Sequence, residues 1–506
     1  MKKSLAITLT FVLSVSLASP AHAEGIEPML IPVADDEVLF MLSEDEGRGD
    51  WGSKLQLQPD APDENLKRDP WIDCPTVDDP ICDFKKRGYG GFAWIAMPAC
   101  ESETAEDCVA RFGMELNGEY FPGEFVSAIN SGNTFPSSTK YNLPRGGQSS
   151  IYKVPGVPHD QGDLYLVSPN STANHDLRTN KFSTNDFYLN VIPIVIRPAS
   201  YQDSVRGTLP CVWRNETECA TRASFNPEAK VTVEMRVINE VGGWFLGRMK
   251  DPTLQVTKFS ARNNTITLSA FPVQVARFAY KAKKKDTPIE DLKAAGNTGS
   301  IGTFDSDGPV RILNGGFDTS NFRMLSHFRN RVKDTAAGSS TIFQMRTTSR
   351  GGGNACLADR DRVLGIVTTN SMVYDGFEPK FTRGFLDYRV AGLHFEADGT
   401  TEVVGSYDLV MRSDVARCLY RFTNAPVSAT ITITGEGDKN IATTVVGEKN
   451  GWLKLAAYGF TFSNKTIKVK LSQKRTTITC VSISDPKKTR KVTAIGPKCP
   501  RGFKTR

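Results

Sequence analysis

Histidine is the scarcest chemistry-bearing residue here, with five in 506 residues, so few imidazoles are available for metal binding or acid–base work. The chain has no Gly-x-Ser-x-Gly elbow, no His-Glu-x-x-His pair and no phosphate-cradling glycine loop. These absences exclude the common nucleophile-elbow, zinc-protease and nucleotide-binding signatures. After residues 5–17, no stretch approaches the roughly 18–20 uninterrupted apolar residues that a membrane-spanning helix needs. Helical periodicity is also rare.

What is present describes a globular protein. Hydrophobic residues make up 39%, aromatics 9% and charged residues 23%, which excludes wholesale disorder, coiled coil and collagen. The 42 glycines and 28 prolines favour many turns over long helices. The length suffices for about three domains of ~150 residues.

Lys2 and Lys3, the apolar run from Leu5 to Leu17, and Ser19-Pro20-Ala21-His22-Ala23 follow the order of a signal peptide, so residues 1–23 are expected to be cleaved after Ala23. The product is expected to be secreted, extracellular or cell-wall associated, and without a transmembrane segment. No cysteine near the cleavage site offers a lipid attachment point, and the C-terminus is charged, so retention would be noncovalent.

All ten cysteines lie beyond residue 23, and an even count in an exported chain reads as disulfides. Cys74 and Cys82, Cys100 and Cys108, and Cys211 and Cys219 share a separation of eight, which predicts three local loops. The remaining four are expected to pair in order, Cys356 with Cys418 and Cys480 with Cys499. These separations do not match the two-to-four-residue gaps of structural zinc sites, and no thiol is left over for catalysis.

Charge is divided between the ends. Residues 24–66 carry a net charge of −10 and residues 465–506 a net charge of +12. The first segment, with Pro28, Pro32, Pro59 and Pro62, reads as an acidic extended leader over 24–68, or as a propeptide. A bridge between Cys480 and Cys499 would fold the second into a compact cationic knob. Its Lys487, Lys488, Arg490, Lys491, Lys498 and Arg501 are expected to anchor the protein to an anionic cell-wall polymer or surface glycan in preference to nucleic acid.

Period-two alternation dominates the body. Val231, Val233, Met235 and Val237 alternate with polar residues, as do Ile266, Leu268 and Ala270. Leu386, Tyr388 and Val390 are expected to form a hairpin with Val403, Tyr407, Leu409 and Met411 across the Ala397-Asp398-Gly399-Thr400 turn. Ile431 and Ile433, then Ile467, Val469 and Leu471, close the series. One amphipathic helix is predicted, capped by Asp318 or Thr319, with Phe322, Leu325, Phe328 and Val332 on one face and an end near Asp334.

The expected fold is therefore all-β: multidomain antiparallel β-sandwiches with one amphipathic helix and a small disulfide-bridged C-terminal tail. The divisions read as a disulfide-bridged β domain over 69–285, a linker over 286–300, and a β-sandwich with one helix over 301–424. Residues 425–476 form a small β unit or continue the preceding sandwich, and a basic tail covers 477–506.

No catalytic constellation is evident, and nothing calls for a cofactor or metal. Ligand candidates are His159 with Asp160 and Asp163, in a Pro/Gly-rich loop, and Trp213, inside a bridged loop where it could stack on a sugar ring. His175 with Asp176 is a comparable pair. His327 reads as a surface residue on the polar face of the helix, and His394 as a hydrogen-bonded imidazole at the edge of the core. Asp305-Ser306-Asp307-Gly308 resembles the opening of a calcium loop but has glycine where the bidentate glutamate belongs, so it reads as a turn. Gly351-Gly352-Gly353 reads as a loop.

The C-terminal run from Ile478 to Phe503, ITCVSISDPKKTRKVTAIGPKCPRGF, resembles a short two-cysteine cationic tail that ends many exported actinobacterial surface and wall-associated proteins. Ile478-Thr479-Cys480-Val481, Lys491-Val492-Thr493-Ala494 and Pro497-Lys498-Cys499-Pro500 carry the likeness. The Asp485-Pro486 stretch departs from the usual glycine-lysine turn, and Phe503 stands where tyrosine is common. In the body, Gly243-Trp244-Phe245-Leu246-Gly247-Arg248 and the run from Ala456 to Ser463 look like uncharacterised secreted proteins of the same bacteria. The resemblance implies a compartment and lends no catalytic residues. The resulting expectation is a secreted, noncovalently surface-associated binding or structural protein of the bacterial cell envelope. The alternative is an extracellular polysaccharide-acting hydrolase that uses a carboxylate pair, with Asp160 or Asp163 as candidate members.

Overall fold

The computed structural model describes residues 31–43, 52–59, 71–85, 89–129, 133–200, 211–296, 310–317, 319, 321–348, 354–359, 362–423, 427–435, 443–473 and 475–506. The signal peptide, Asp305–Gly308, Gly351–Gly353 and the 424–426 boundary lie outside the described residues. The fold is mostly β, as the alternation predicts.

Val231, Val233, Met235 and Val237 all face the core, and so do Ile266, Leu268 and Ala270. Their strands, Lys230–Ile238 and Asn263–Phe271, pair antiparallel with Val233 opposite Leu268. With Lys250–Lys258, Cys108–Leu116 and Glu119–Pro122 they make a five-stranded sheet. This sheet packs against one face of a much larger one. The shared core holds Phe112, Met114, Phe187, Leu189, Phe245, Phe343 and Val410. β-Branched and aromatic side chains on alternate positions fill such an interlayer space well, which is why these segments settle as strands.

The large sheet has sixteen strands among the described residues. Its path runs from Thr443–Lys449 through Trp452–Thr461, Val404–Arg412, Val363–Thr369, Gly243–Arg248 and Gly338–Thr347 to the long strands Lys181–Pro198 and Leu164–Asp176. It continues through Tyr89–Ala96 and Lys54–Pro59 to Ile72–Asp73. All these neighbours pair antiparallel except Gly243–Arg248 with Val363–Thr369, which run parallel.

This sheet corrects the division at 286–300. Strands from both sides of that segment alternate within it, with Tyr188 opposite Arg346 and Leu246 opposite Val367. The segment's described residues, 286–296, take regular local structure. It includes a helix, Ile289–Ala294, in which Asp291 and Leu292 are buried. Its lysines and glycines read as a linker because the signal is compositional, whereas Leu292 and Ala294 complete the large core.

The acidic leader is corrected as well. Glu37–Ser43 pairs antiparallel with the lysine-bearing strand Ala279–Lys283 and parallel with Val310–Gly315. Lys281 and Lys283 both reach Glu37, at 3.3 and 3.4 Å, and Lys283 reaches Asp36 at 2.9 Å. Between the acids lies Val38-Leu39-Phe40-Met41-Leu42, fully buried. Lys54–Pro59 is a second strand from the same segment, paired with Tyr89–Ala96. The net charge of the segment hid this short apolar run.

The expected hairpin of 386–390 with 403–411 does not form. Phe385–Ala391 pairs with Lys465–Gln473, whereas Val404–Arg412 pairs with Val363–Thr369 and Trp452–Thr461. Asp398 does make the turn, accepting from the backbone N–H of Thr400 and Thr401. The chain crosses there from one sheet to another, and the two strands face each other with Tyr388 and Tyr407 ring centroids 5.7 Å apart.

The predicted helix exists but stops earlier, spanning Asn321–Phe328. Phe322, Leu325 and Phe328 are buried as expected, and the chain leaves the helix through Lys333 and Asp334, both at positive φ. Asp318 lies outside the described residues. Besides Ile289–Ala294, an unexpected helix, Ser413–Tyr420, carries Cys418. Residues 425–476 continue the preceding layers: Val427–Gly435 pairs with Lys465–Gln473 in the five-stranded sheet that holds Phe385–Ala391.

Candidate functional site

Five disulfides form: Cys74–Cys82, Cys100–Cys108, Cys211–Cys219, Cys356–Cys418 and Cys480–Cys499. Each joins neighbours in cysteine order, and the described residues hold no free thiol.

The histidine loop does not assemble a site. The His159 side chain is fully buried, edge-on to Tyr165, and its Nδ1 accepts from the Gln161 N–H at 3.1 Å. Burial pushes its pKa down, against the pull of Asp160. Asp160 accepts from the Ser224 N–H at 2.8 Å, and Asp163 lies 3.7 Å from Lys153. All three residues hold the loop to its neighbours, and neither carboxylate lines either described cavity. His175 is wedged against Phe84 and Phe182, with Asn180 3.1 Å from its Nε2. Among the described residues, no group of three or more His, Cys, Asp or Glu is placed to hold a metal.

His327 is not a bare surface residue. Its Nε2 lies 2.7 Å from Oδ1 of the buried Asp291, and Arg331 pairs with the other oxygen. Helical spacing placed His327 opposite the apolar arc, but the preceding helix packs on that side. His394 is the edge imidazole that alternation suggests, with Nδ1 3.2 Å from the Phe462 carbonyl and Nε2 3.2 Å from Glu402.

Trp213 is 5% exposed, packed with Ile129, Ile151, Leu166, Ile192 and Ile194, and is no sugar platform. Accessible aromatics occur elsewhere. Half-buried Phe92 and Trp94 touch edge to face at 5.2 Å, and the register sets Gln56 beside Phe92 and Thr172 beside Trp94. Trp71, 58% exposed, directly precedes the edge strand Ile72–Asp73.

The C-terminal residues build a separate cationic module. Thr476–Ser482 is the middle strand, flanked by Thr489–Ala494 and Phe503–Thr505. From residue 477 onward there are eight Lys/Arg and one carboxylate, Asp485, whose side chain caps the Lys487 N–H at 3.0 Å. All eight cations are exposed and none forms an ion pair among the described residues. Register sorts them. Lys491 lies opposite Thr479 and Lys504 opposite Val481, so both share one face with Thr477, Thr489 and Thr493. Arg506, whose N–H donates to the Thr479 carbonyl, extends that row. Arg490 lies on the other face, 5.2 Å from the Phe503 ring centroid. Lys487 and Lys488 occupy the hairpin turn, and Lys498 and Arg501 the closing loop. Lys504 and Arg506 were missed by a reading that grouped cations by runs in sequence, because the third strand returns from thirteen residues away.

A cleft of about 540 Å³ opens at one end of the main sandwich. Lys258, Arg362 and Arg412 line it, with Asn239, Asn264, Val256, Val363 and a single carboxylate, Glu240. Asp414 holds the two guanidiniums together: Arg362 Nη1 at 2.6 Å and Arg412 Nε at 3.0 Å. Although partial burial opposes it, these two cations hold the Asp414 carboxyl at about 2, so it stays ionised. Arg362 also pairs with Asp359 at 2.6 Å. Lys258 donates to Asn239 Oδ1 at 2.9 Å and to the Ala261 carbonyl at 3.3 Å, and pairs with no carboxylate among the described residues. Glu240 is already occupied, accepting from Asn142 Nδ2 and from the Thr184 N–H.

Compared with known proteins, the chain matches no family model, no curated protein and no solved structure.

Proposed function

We propose that the chain is a secreted, disulfide-stapled β-protein held noncovalently at the bacterial cell envelope, where it acts in binding or as a structural layer. The observation that carries this reading is the C-terminal module, a bridged sheet with eight exposed cations, one carboxylate and no ion pairs of its own among the described residues. Unpaired surface cations on a rigid support favour anionic polymers, because little is lost in ordering them and no internal partner must be displaced. Five disulfides accord with an oxidising compartment. The likeness of the tail to actinobacterial wall-associated proteins points the same way, and wall phosphates are the proposed counter-charge.

The test is fractionation of cells expressing the full chain and a Lys491→Glu, Lys504→Glu, Arg506→Glu variant, washed at low and high salt. The reading expects the unaltered chain on the wall, stripped by salt, and the variant in the medium. Equal retention of both would overturn it.

A further inference from the structure

The interlayer cleft shares no lining residue with the cationic module. Its walls are the continuation of core-facing rows. On Lys250–Lys258 the inward row runs Leu254, Val256, Lys258, and on Asn263–Phe271 it runs Leu268, Ile266, Asn264. On Val404–Arg412 it runs Val410, Arg412. Three strands from two facing sheets thus turn from apolar to polar or cationic at the same end of the sandwich. This end leaves about 540 Å³, with Lys258, Arg362 and Arg412 among its lining residues.

We infer that this cleft binds a phosphate ester of monosaccharide size. The volume falls within the range of small-ligand sites, roughly 300–1,000 Å³. Asp414 fixes the Arg362 and Arg412 guanidiniums side by side yet leaves Arg362 Nη2 and Arg412 Nη1 without a hydrogen bond among the described residues. Planar guanidiniums held by carboxylates keep donors free for phosphate oxygens, and the Lys258 ammonium, which pairs with no carboxylate among the described residues, supplies the uncompensated positive charge. Asn264 supplies an amide group for a sugar hydroxyl, while Asn239 holds Lys258 in place, and Val256 and Val363 give an apolar wall for the C–H face of the ring. Glu240, the single carboxylate of the lining, accepts from Asn142 Nδ2 and the Thr184 N–H and is outnumbered by the three cations.

Titration calorimetry of the full chain with glucose 1-phosphate, glucuronate and glucose tests the assignment. Glucose 1-phosphate should bind saturably below ~1 mM, with inorganic phosphate competing, and glucose should give no signal. Lys258→Gln and Arg412→Gln should each weaken binding about tenfold or more. Lys258 is exposed, so its variant folds regardless. The Lys491→Glu, Lys504→Glu, Arg506→Glu variant should bind as the unaltered chain does. No saturation by ~10 mM, glucuronate binding as tight as the phosphate ester, unchanged affinity in both cleft variants, or loss of binding in the tail variant would each overturn the assignment.

Discussion

The Tyr458 hydroxyl donates to Oδ1 of Asp408 at 2.5 Å, and Asp408 is fully buried. Its other oxygen accepts from the Asp251 N–H at 3.2 Å. Lys454 pairs with Asp251, and the Lys250 ammonium lies 4.9 Å from the Tyr458 ring centroid. Burial pushes the Asp408 carboxyl up to about 6, with the Tyr458 hydroxyl pulling the other way.

A raised carboxyl pKa favours the folded state while the group is protonated. That contribution is complete below the unfolded value of about 3.9 and is lost as pH rises through about 6. Asp408→Asn lacks this dependence. Between pH 4 and pH 7 the wild type should therefore lose stability relative to the variant, by something on the order of 3 kcal/mol. Denaturant melts across that range measure it, and a constant difference between the two proteins would refute it.

Asp291 clamps two helices through His327 and Arg331. Removing a buried carboxylate from paired cations costs roughly 3–5 kcal/mol, and partial hydration of both partners places Asp291→Ala at about 3 kcal/mol. In an Arg331→Ala background the same substitution should cost clearly less. A double-mutant cycle by urea unfolding checks this, and strict additivity would show that the pair is uncoupled.

The disulfides should differ in weight. The Cys356–Cys418 closure spans a sequence separation of 62 and Cys100–Cys108 one of 8. Chain entropy assigns about 4.3 kcal/mol to the first and about 2.6 to the second. Replacing each pair by serine and comparing unfolding midpoints tests the order, which a larger loss from the short loop would reverse.

Trp213→Ala should cost about 3–5 kcal/mol, because the indole fills a cluster of isoleucines and leucine. Glycan binding, if present, should survive in the folded fraction. Loss of binding without loss of stability would return Trp213 to the ligand candidates.

The segment 37–43 should remain with the mature protein. Phe40 is fully buried, 5.0 Å from Phe328 ring to ring, and its strand has partners on both edges. Phe40→Ala should cost roughly 3–5 kcal/mol. Intact-mass analysis of secreted protein should find residues 37–43 present; a stable product beginning after residue 66 would contradict this.

Much of the architecture was legible because its signals are local. Alternation at 231–237 and 266–270 marks strands whatever they pair with, since successive side chains must face opposite ways. Cys74 with Cys82 and its two counterparts are separated by distances a short loop closes readily. The cleft was legible only in part. Val256 followed by Lys258, Ile266 preceded by Asn264, and Val410 followed by Arg412 each end an apolar row, yet nothing in the order of residues says that the three ends meet.

By itself, the sequence determined the β character, the cysteine set and the separation of charge between the two ends, because composition and short-range period follow from neighbouring residues alone. Only the tertiary structure decided that Phe385–Ala391 and Val404–Arg412 belong to different sheets, that the acidic segment contributes strands to the body, and that Lys504 and Arg506 join Lys491 on one face. Period two tells which way a side chain points and leaves its neighbour open. Strand partners are chosen by the burial of apolar faces across hundreds of residues, and that choice exists only once the layers have packed.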